Sequence, residues 1–239
     1  MTFLNGHYEL FSFLSVLLLA VVHLLSTRIH GLDRFWHHRL LSAAGGTSVA
    51  YVFIKLLPEL SEGQALLTKT FAGTFPYLEK HVYILALVGV IFTYGIEQWR
   101  HKKTELGKVA FWSNLLAAAF LNFLIGDAIA DQSDREVRPL TLFVIAMGLH
   151  NLVNDQTLRD IDEYSFKRFG NGILVSALFI GWLTGYLSHV SQAAIALALA
   201  FIAGGIIVNV LRHELPNADI RNFGAFAIAS IAYALLLLS

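Results

Sequence analysis

The chain has 239 residues, of which 56% are apolar and only 14% are Asp, Glu, Lys or Arg, and its formal net charge is zero. A soluble domain carries about 25% charged residues, so this composition argues against a soluble globular protein. The balanced charge argues against a nucleic-acid partner. No cysteine is present, which excludes disulfides, thiolate metal ligation, iron–sulfur clusters and a cysteine nucleophile.

Eight apolar segments follow one another along the chain, each close to the roughly 20 residues that a membrane-spanning helix needs. Their apolar runs are continuous rather than alternating, which predicts helices, because a helix satisfies its own backbone hydrogen bonds in lipid. We therefore predict an all-α, polytopic integral membrane protein with a single transmembrane domain over residues 1–239. The predicted helices cover residues 8–27, 39–60, 80–99, 108–130, 139–158, 170–188, 192–213 and 219–239.

Lys and Arg are concentrated in alternate loops between these segments. The loops that follow odd-numbered segments contain Arg28, Arg34, Arg39, Arg100, Lys102, Lys103, Lys108, Arg159, Lys167, Arg168, Arg212 and Arg221. The other loops and the termini contain only Lys69, Lys80, Arg135 and Arg138. Basic loops stay in the cytoplasm, so this asymmetry predicts a multi-pass protein of the cell membrane with both termini outside.

The second and seventh segments share a weak sequence repeat. One reads GGTSVAYVFIKLLPEL from Gly45 and the other GGIIVNVLRHELP from Gly204. In the predicted topology these segments cross the bilayer in opposite directions, which is typical of the inverted repeats of secondary transporters. Paired glycines are also common in membrane helices for close packing alone.

Ionisable residues inside the predicted spans are candidates for function, because they are costly in lipid. They are His23, Lys55, Glu97, Asp127, His150 and Asp155. Lys55 lies near a helix end, from which its amine can reach the membrane surface, and Glu97 is expected at the cytoplasmic interface. His23 is isolated on an apolar helix and is expected to be a hydrogen-bonded core histidine.

The fifth segment carries the densest polar cluster. His150 and Asn154 share a helix face, as do Asn151 and Asp155, so the four form one stripe that must face other helices or water. On the fourth segment, Asn122 is expected at a similar depth. Such a midplane site between two helices is typical of a transporter or channel. The alternative is a hydrogen-bonded network that only holds helices together.

Four acidic residues follow Asn122 towards the predicted external mouth and would raise the local cation concentration there. They are Asp127, Asp131, Asp134 and Glu136.

These motifs resemble those of the ZIP family of zinc and iron transporters. The family's fourth helix carries a motif like His-Asn-x-x-Asp-Gly, where this chain has LNFLIG over residues 121–126. Its fifth helix carries a motif like His-Glu-x-Pro-His-Glu, where this chain has HNLVND over residues 150–155. The ending Leu56-Leu57-Pro58-Glu59 of the second segment and the GG…LP pattern of the seventh are also similar. The resemblance implies eight helices, both termini outside, and an inverted repeat relating helices 1–3 to helices 6–8.

Within these motifs, only Asn122 and His150 keep the residue types of the family's metal ligands. The departures are Leu121, Ile125, Asn151, Val153 and Asn154. Amide oxygens are hard, weak donors, so one imidazole with several amides makes a poor zinc site.

The expected function is a ZIP-like transporter that moves a divalent cation through a midplane site between the fourth and fifth helices. Zn, Cd, Mn or Fe is the expected substrate, with the lipid bilayer as surroundings, no permanently bound cofactor and no enzymatic activity. A homodimer is one assembly that such a chain could form. The expected metal-binding side chains are His150, Asn122, Asn151, Asn154, Asp155 and Asp127.

Two alternatives remain open at this point. One is a non-transporting membrane scaffold or partner subunit with the same fold. The other is an intramembrane metal hydrolase, which needs about three protein ligands and has His23, His150 and His213 as its candidate histidines.

Overall fold

A computed structural model describes residues 8–26, 34–70, 81–98, 105–130, 137–187, 192–214 and 222–238. In these ranges the chain forms eight helices and no strand, so the predicted all-α class is confirmed. The helices are α1 (Tyr8–Ser26), α2 (residues 34–70), α3 (His81–Glu97), α4 (Glu105–Ala130), α5 (Val137–Ile161), α6 (residues 163–187), α7 (residues 192–214) and α8 (Phe223–Leu238).

Several helices are suited to a membrane. Four stretches are long and apolar enough to cross one, namely Tyr8–Ser26, Arg39–Thr68, Lys108–Ala130 and Glu163–Leu187. Shorter apolar helices are His81–Gly95, Ala196–Arg212 and Phe223–Leu238. The outer surface is also apolar, with Leu116 and Ile228 64% and 71% exposed. An exposed apolar surface of this kind suits contact with lipid.

Helix α2 extends further than its apolar pattern indicates, from the predicted end at residue 60 to Thr70. A π-turn at Val52–Leu56 interrupts it, closed by a hydrogen bond from the Leu57 N–H to the Val52 carbonyl. Pro58 follows directly, and its ring would press on the carbonyl of Ile54 in a regular helix. The wider π-turn falls where this clash would occur, and the helix continues past the proline.

Glycines bring three pairs of helices into close contact, because a side chain there would collide with the backbone of the neighbouring helix. These pairs are α4 with α6, α3 with α7, and α2 with α8. The contacts join Gly126 to Leu178, Gly181 to Phe123, Gly89 to Phe201, Gly204 to Ala86, and Gly46 to Phe226. Helix α5 instead packs against α1 and α2.

Helices α2, α6 and α7 each contain a π-turn, at Val52–Leu56, Phe166–Gly170 and Val210–Glu214. The π-turn begins six residues after the second of two adjacent glycines in α2 and five residues after the second of two adjacent glycines in α7. Helices α2 and α7 also contact each other.

Among the described residues, several hydrogen bonds join helices outside the site described below. The Tyr8 hydroxyl donates to the Ile129 carbonyl at 3.4 Å, linking α1 to α4. The Tyr233 hydroxyl donates to the Leu142 carbonyl at 2.7 Å, linking α8 to α5.

Candidate functional site

His23 lies at the meeting point of α1, α4 and α5. Its Nδ1 is 3.0 Å from Oδ1 and 2.9 Å from Oδ2 of Asp155 on α5. Its Nε2 is 2.9 Å from Oδ1 of Asn122 on α4. His23 and Asn122 are fully buried, and Asp155 is 1% exposed. One imidazole therefore connects three helices in a setting without water contact.

The orientation of the Asn122 amide determines where one proton of this cluster lies. Its Nδ2 donates to the Ala118 carbonyl at 3.0 Å, so its Oδ1 is the atom that faces His23. The Asn151 Nδ2 donates to the same oxygen at 3.3 Å. Because an amide oxygen can only accept, the His23 Nε2 must carry a hydrogen.

Nδ1 of His23 and the carboxyl group of Asp155 share one further proton. Either an imidazolium N–H donates to the carboxylate, or a carboxylic acid O–H donates to the neutral ring nitrogen. In both arrangements His23 and Asp155 together have no net charge, which suits a site buried in apolar surroundings. We call His23, Asn122, Asn151 and Asp155 the His23 network.

On its other side, α5 borders a cavity of about 80 Å³ that lies between α3, α4, α5 and α7. Thr93, Asn114, His150 and Asn154 provide its polar wall, and the remainder is mostly apolar. His150 is 3% exposed to outside solvent. A cavity of this size with polar groups in its wall has room for several water molecules. We call it the His150 cavity.

The residues that the sequence assigned to one metal site fall into two neighbouring groups in the structure. Asn122, Asn151 and Asp155 belong to the His23 network, whereas His150 and Asn154 line the His150 cavity. Asp127 is buried further along α4, against Gly185 of α6. The polar stripe of α5 is wide enough to touch different neighbours along its two edges.

The described part of the chain contains no group of three or more His, Cys, Asp or Glu side chains placed to hold a metal ion. The acidic residues Asp131, Asp134 and Glu136 lie outside the described residues, as do the side chains of Glu97 and His213. Lys55 is half exposed and pairs with Glu59 at 3.1 Å.

His23 is a hydrogen-bonded core histidine, which confirms that expectation. The sequence pattern did not predict its partners, which are 99 and 132 residues away along the chain. Helical spacing relates residues within one helix only. The available signal was the presence of His23, Asn122 and Asp155 in predicted spans, where lone polar groups are costly and tend to pair.

No protein-family model matches this chain, and no curated protein sequence matches it. The resemblance to the ZIP family therefore depends on the sequence motifs of the second, fourth, fifth and seventh segments.

Proposed function

We propose that the protein is a multi-pass membrane transporter of ZIP-like architecture that passes a divalent cation along the His150 cavity. The observation that carries this proposal is the position of His150 and Asn154, which line a cavity of about 80 Å³ between four helices. Polar side chains in such a position are costly in a membrane protein and usually mark a pathway for a substrate or ion.

We propose eight spanning helices with an inverted repeat relating α1–α3 to α6–α8. Such a repeat relates α1 to α6, α2 to α7, α3 to α8 and α4 to α5. When each helix is replaced by its counterpart, the α3–α7 pair becomes the α8–α2 pair. The same exchange turns the α4–α6 pair into the α5–α1 pair, and all four pairs are in contact. This pairing of the helices supports the proposed repeat.

The two helices that the repeat would relate most directly, α2 and α7, have a further feature in common. Each has two adjacent glycines followed by a π-turn, Gly45 and Gly46 before Val52–Leu56, and Gly204 and Gly205 before Val210–Glu214. π-turns are rare and occur often at functional sites. Their matching positions support both the repeat and a movement of one half of the bundle against the other.

The chemistry of the His150 cavity favours a loosely held substrate. A neutral imidazole of His150 can ligate Zn, Cd, Mn or Fe, and amide or hydroxyl oxygens of Asn114, Asn154 and Thr93 are weak donors that prefer hard ions. Water would complete the coordination. We expect weaker binding than at a site with several histidines and carboxylates, because neutral ligands offset less of the ion's lost hydration.

Both termini are proposed to lie outside the cell membrane, with the basic loops in the cytoplasm. The distribution of Lys and Arg over four separate loops supports this orientation.

Uptake by purified protein in liposomes tests the transport proposal. Native protein should take up radioactive Zn²⁺, Cd²⁺ or Mn²⁺ above the level of empty liposomes, and His150→Ala should abolish this uptake. His81→Ala is the matched control, since His81 begins α3 and is not part of the cavity wall; it should transport normally. If native protein moves none of these ions, or if His150→Ala moves them as fast as native protein, the proposal is wrong.

A second candidate function is a non-transporting membrane scaffold or partner subunit. The His23 network favours it, because three side chains at motif positions that would suit a metal are bonded to protein atoms. This candidate predicts a folded protein without cation uptake in the same liposomes.

A further inference from the structure

The His150 cavity is bordered by side chains that also form part of the outer surface of the bundle. Phe92 of α3 and Phe120 of α4 line the cavity, yet they are 51% and 45% exposed. Ala117 of α4 lines it as well and is also exposed. We call Phe92, Ala117 and Phe120 the α3–α4 seam. Because these residues border the cavity and are exposed as well, the cavity opens sideways between α3 and α4.

The packing of the helices explains why the seam is open. Close glycine contacts hold α3 against α7 and α4 against α6. The ring of Phe92 packs on Phe201 of α7, with centroids 5.7 Å apart. The ring of Phe120 stacks on Phe123 of its own helix, with centroids 6.4 Å apart. Each ring therefore has a partner on its own side of the opening, and the mouth of the cavity is apolar.

Polar groups lie at the inner end of the cavity. The Asn114 Nδ2 donates to the Ala110 carbonyl at 2.9 Å, which leaves the Asn114 Oδ1 as an acceptor for a ligand. Thr93 adds a hydroxyl, which can both donate and accept. Among the described residues that line the cavity, none is Asp, Glu, Lys or Arg. An uncharged polar group therefore suits this end, because a lone charge would lose its hydration without compensation.

An apolar mouth that leads to an uncharged polar end matches an amphiphile with one chain and a small head. We infer that the cavity binds a long-chain fatty acid from the bilayer, with its undissociated carboxyl group beside Asn114 and Thr93 and its chain leaving through the α3–α4 seam. The acid O–H can donate to the Asn114 Oδ1 while the acid carbonyl accepts from the Thr93 hydroxyl. A phospholipid fits less well, because its headgroup is charged.

The depth of the polar end suits a ligand that enters from one leaflet. Measured along their helices, Thr93, Asn114 and Asn154 are within about 15 Å of the ends that α3, α4 and α5 have on the same side of the bundle. The hydrocarbon core of a bilayer is about 30 Å thick, so this end lies within one leaflet. The inference rests on the proposed spanning of the membrane by these helices, and holds whether or not a cation passes along the cavity.

Photo-crosslinking in phosphatidylcholine nanodiscs tests the inference, with palmitic acid that carries a diazirine in its chain as the probe. Labelling of the native protein should saturate and should be displaced by excess palmitic acid. The adducts, located by mass spectrometry, should concentrate at the α3–α4 seam. Hexadecane has the chain without the head, so it should displace the probe about fivefold less effectively than palmitic acid.

Variants test the two ends of the site separately. Ala117→Phe places a third ring in the mouth, at an exposed position where it leaves the core undisturbed, and should abolish the saturable labelling. Asn114→Leu removes the acceptor oxygen and should weaken binding of the probe about fivefold. Ala232→Phe is the matched control, because Ala232 is an exposed alanine of α8 that is not part of the cavity wall. It should be labelled like the native protein.

The inference is overturned if labelling of the native protein does not saturate, or if the adducts spread evenly over the exposed surface of the helices. Displacement by hexadecane as effective as that by palmitic acid would overturn it too, as would equal labelling of Ala117→Phe and Ala232→Phe. These measurements contain no divalent cation. Cation uptake without saturable labelling would therefore refute this inference alone, and labelling without uptake would refute the transport proposal alone.

Discussion

The two sides of α5 carry similar polar pairs and place them in different surroundings. Asn151 and Asp155 face α1 and α4, where they are fully buried and bonded within the His23 network. His150 and Asn154, at the same four-residue spacing, face a cavity bounded by α3, α4 and α7. The difference lies in the opposing helix, since α1 presents an imidazole where α7 presents Gly205 and apolar side chains.

This contrast assigns a structural role to the His23 network and a role in ion passage to the His150 cavity. In the His23 network, oxygens and nitrogens meet protein partners at 2.9–3.3 Å, so truncating one side chain leaves its partner buried and unsatisfied. In the His150 cavity, water can replace a missing side chain. We therefore expect mutations of the network to affect stability most, and mutations of the cavity to affect function.

The largest expected effect comes from breaking the His23 network. His23→Leu should lower the free energy of unfolding by about 3–5 kcal/mol, because it removes the imidazole partner of the buried Asp155 carboxyl group. The double variant with Asp155→Leu should recover much of this loss, since replacing both members of a buried pair with apolar side chains is often neutral. Chemical denaturation in detergent, followed by circular dichroism, measures both. A double variant as unstable as the single one would contradict the ion-pair account.

A smaller loss of stability is expected from displacing α4, the helix on which Asn122 lies. A methyl group at Gly181 of α6 would collide with the carbonyl of Phe123, the residue after Asn122. Gly181→Ala should therefore cost about 1–3 kcal/mol in the same denaturation experiment, as overpacked cores do.

Gly95→Ala is the control for the Gly181 variant, because a side chain at Gly95 meets no described atom within 4 Å. Alanine also suits a helix better than glycine, so this variant should equal or exceed native stability by up to about 1 kcal/mol. Equal effects at the two glycines would mean that the close contact between α4 and α6 does not position the network.

The helices themselves were predictable because lipid-compatible length and continuous apolar runs leave few alternatives. The first, third and fifth predicted segments differ from α1, α3 and α5 by only a few residues at each end. The extension of α2 to Thr70 was not predictable in this way. Beyond Pro58 the sequence is amphipathic rather than continuously apolar, and one side is buried through Leu60, Gln64 and Leu67.

The site was predictable only to the level of single helices. Spacing on α5 correctly indicated a polar surface that faces inward, since His150, Asn151 and Asp155 are all buried. It could not indicate which neighbour each residue faces, because that depends on packing between helices far apart in the sequence. His23 shows the limit most clearly: its own helix contains none of its side-chain partners.

The smallest effect, and the most direct comparison of the two sides of α5, comes from matched truncation of its two asparagines. Asn151→Ala removes a bond to Asn122 in a fully buried position, and should cost about 1 kcal/mol, in the range measured for hydrogen bonds between membrane helices. Asn154→Ala should change stability by no more than about 0.5 kcal/mol, because Asn154 is only partly buried and water in the cavity can take the place of its amide. The two variants remove the same atoms from the same helix, three residues apart, so helix propensity and side-chain entropy largely cancel in the comparison. If Asn154→Ala is as destabilising as Asn151→Ala, the cavity wall is as tightly bonded as the network, and the distinction between a structural and a passage side of α5 is wrong.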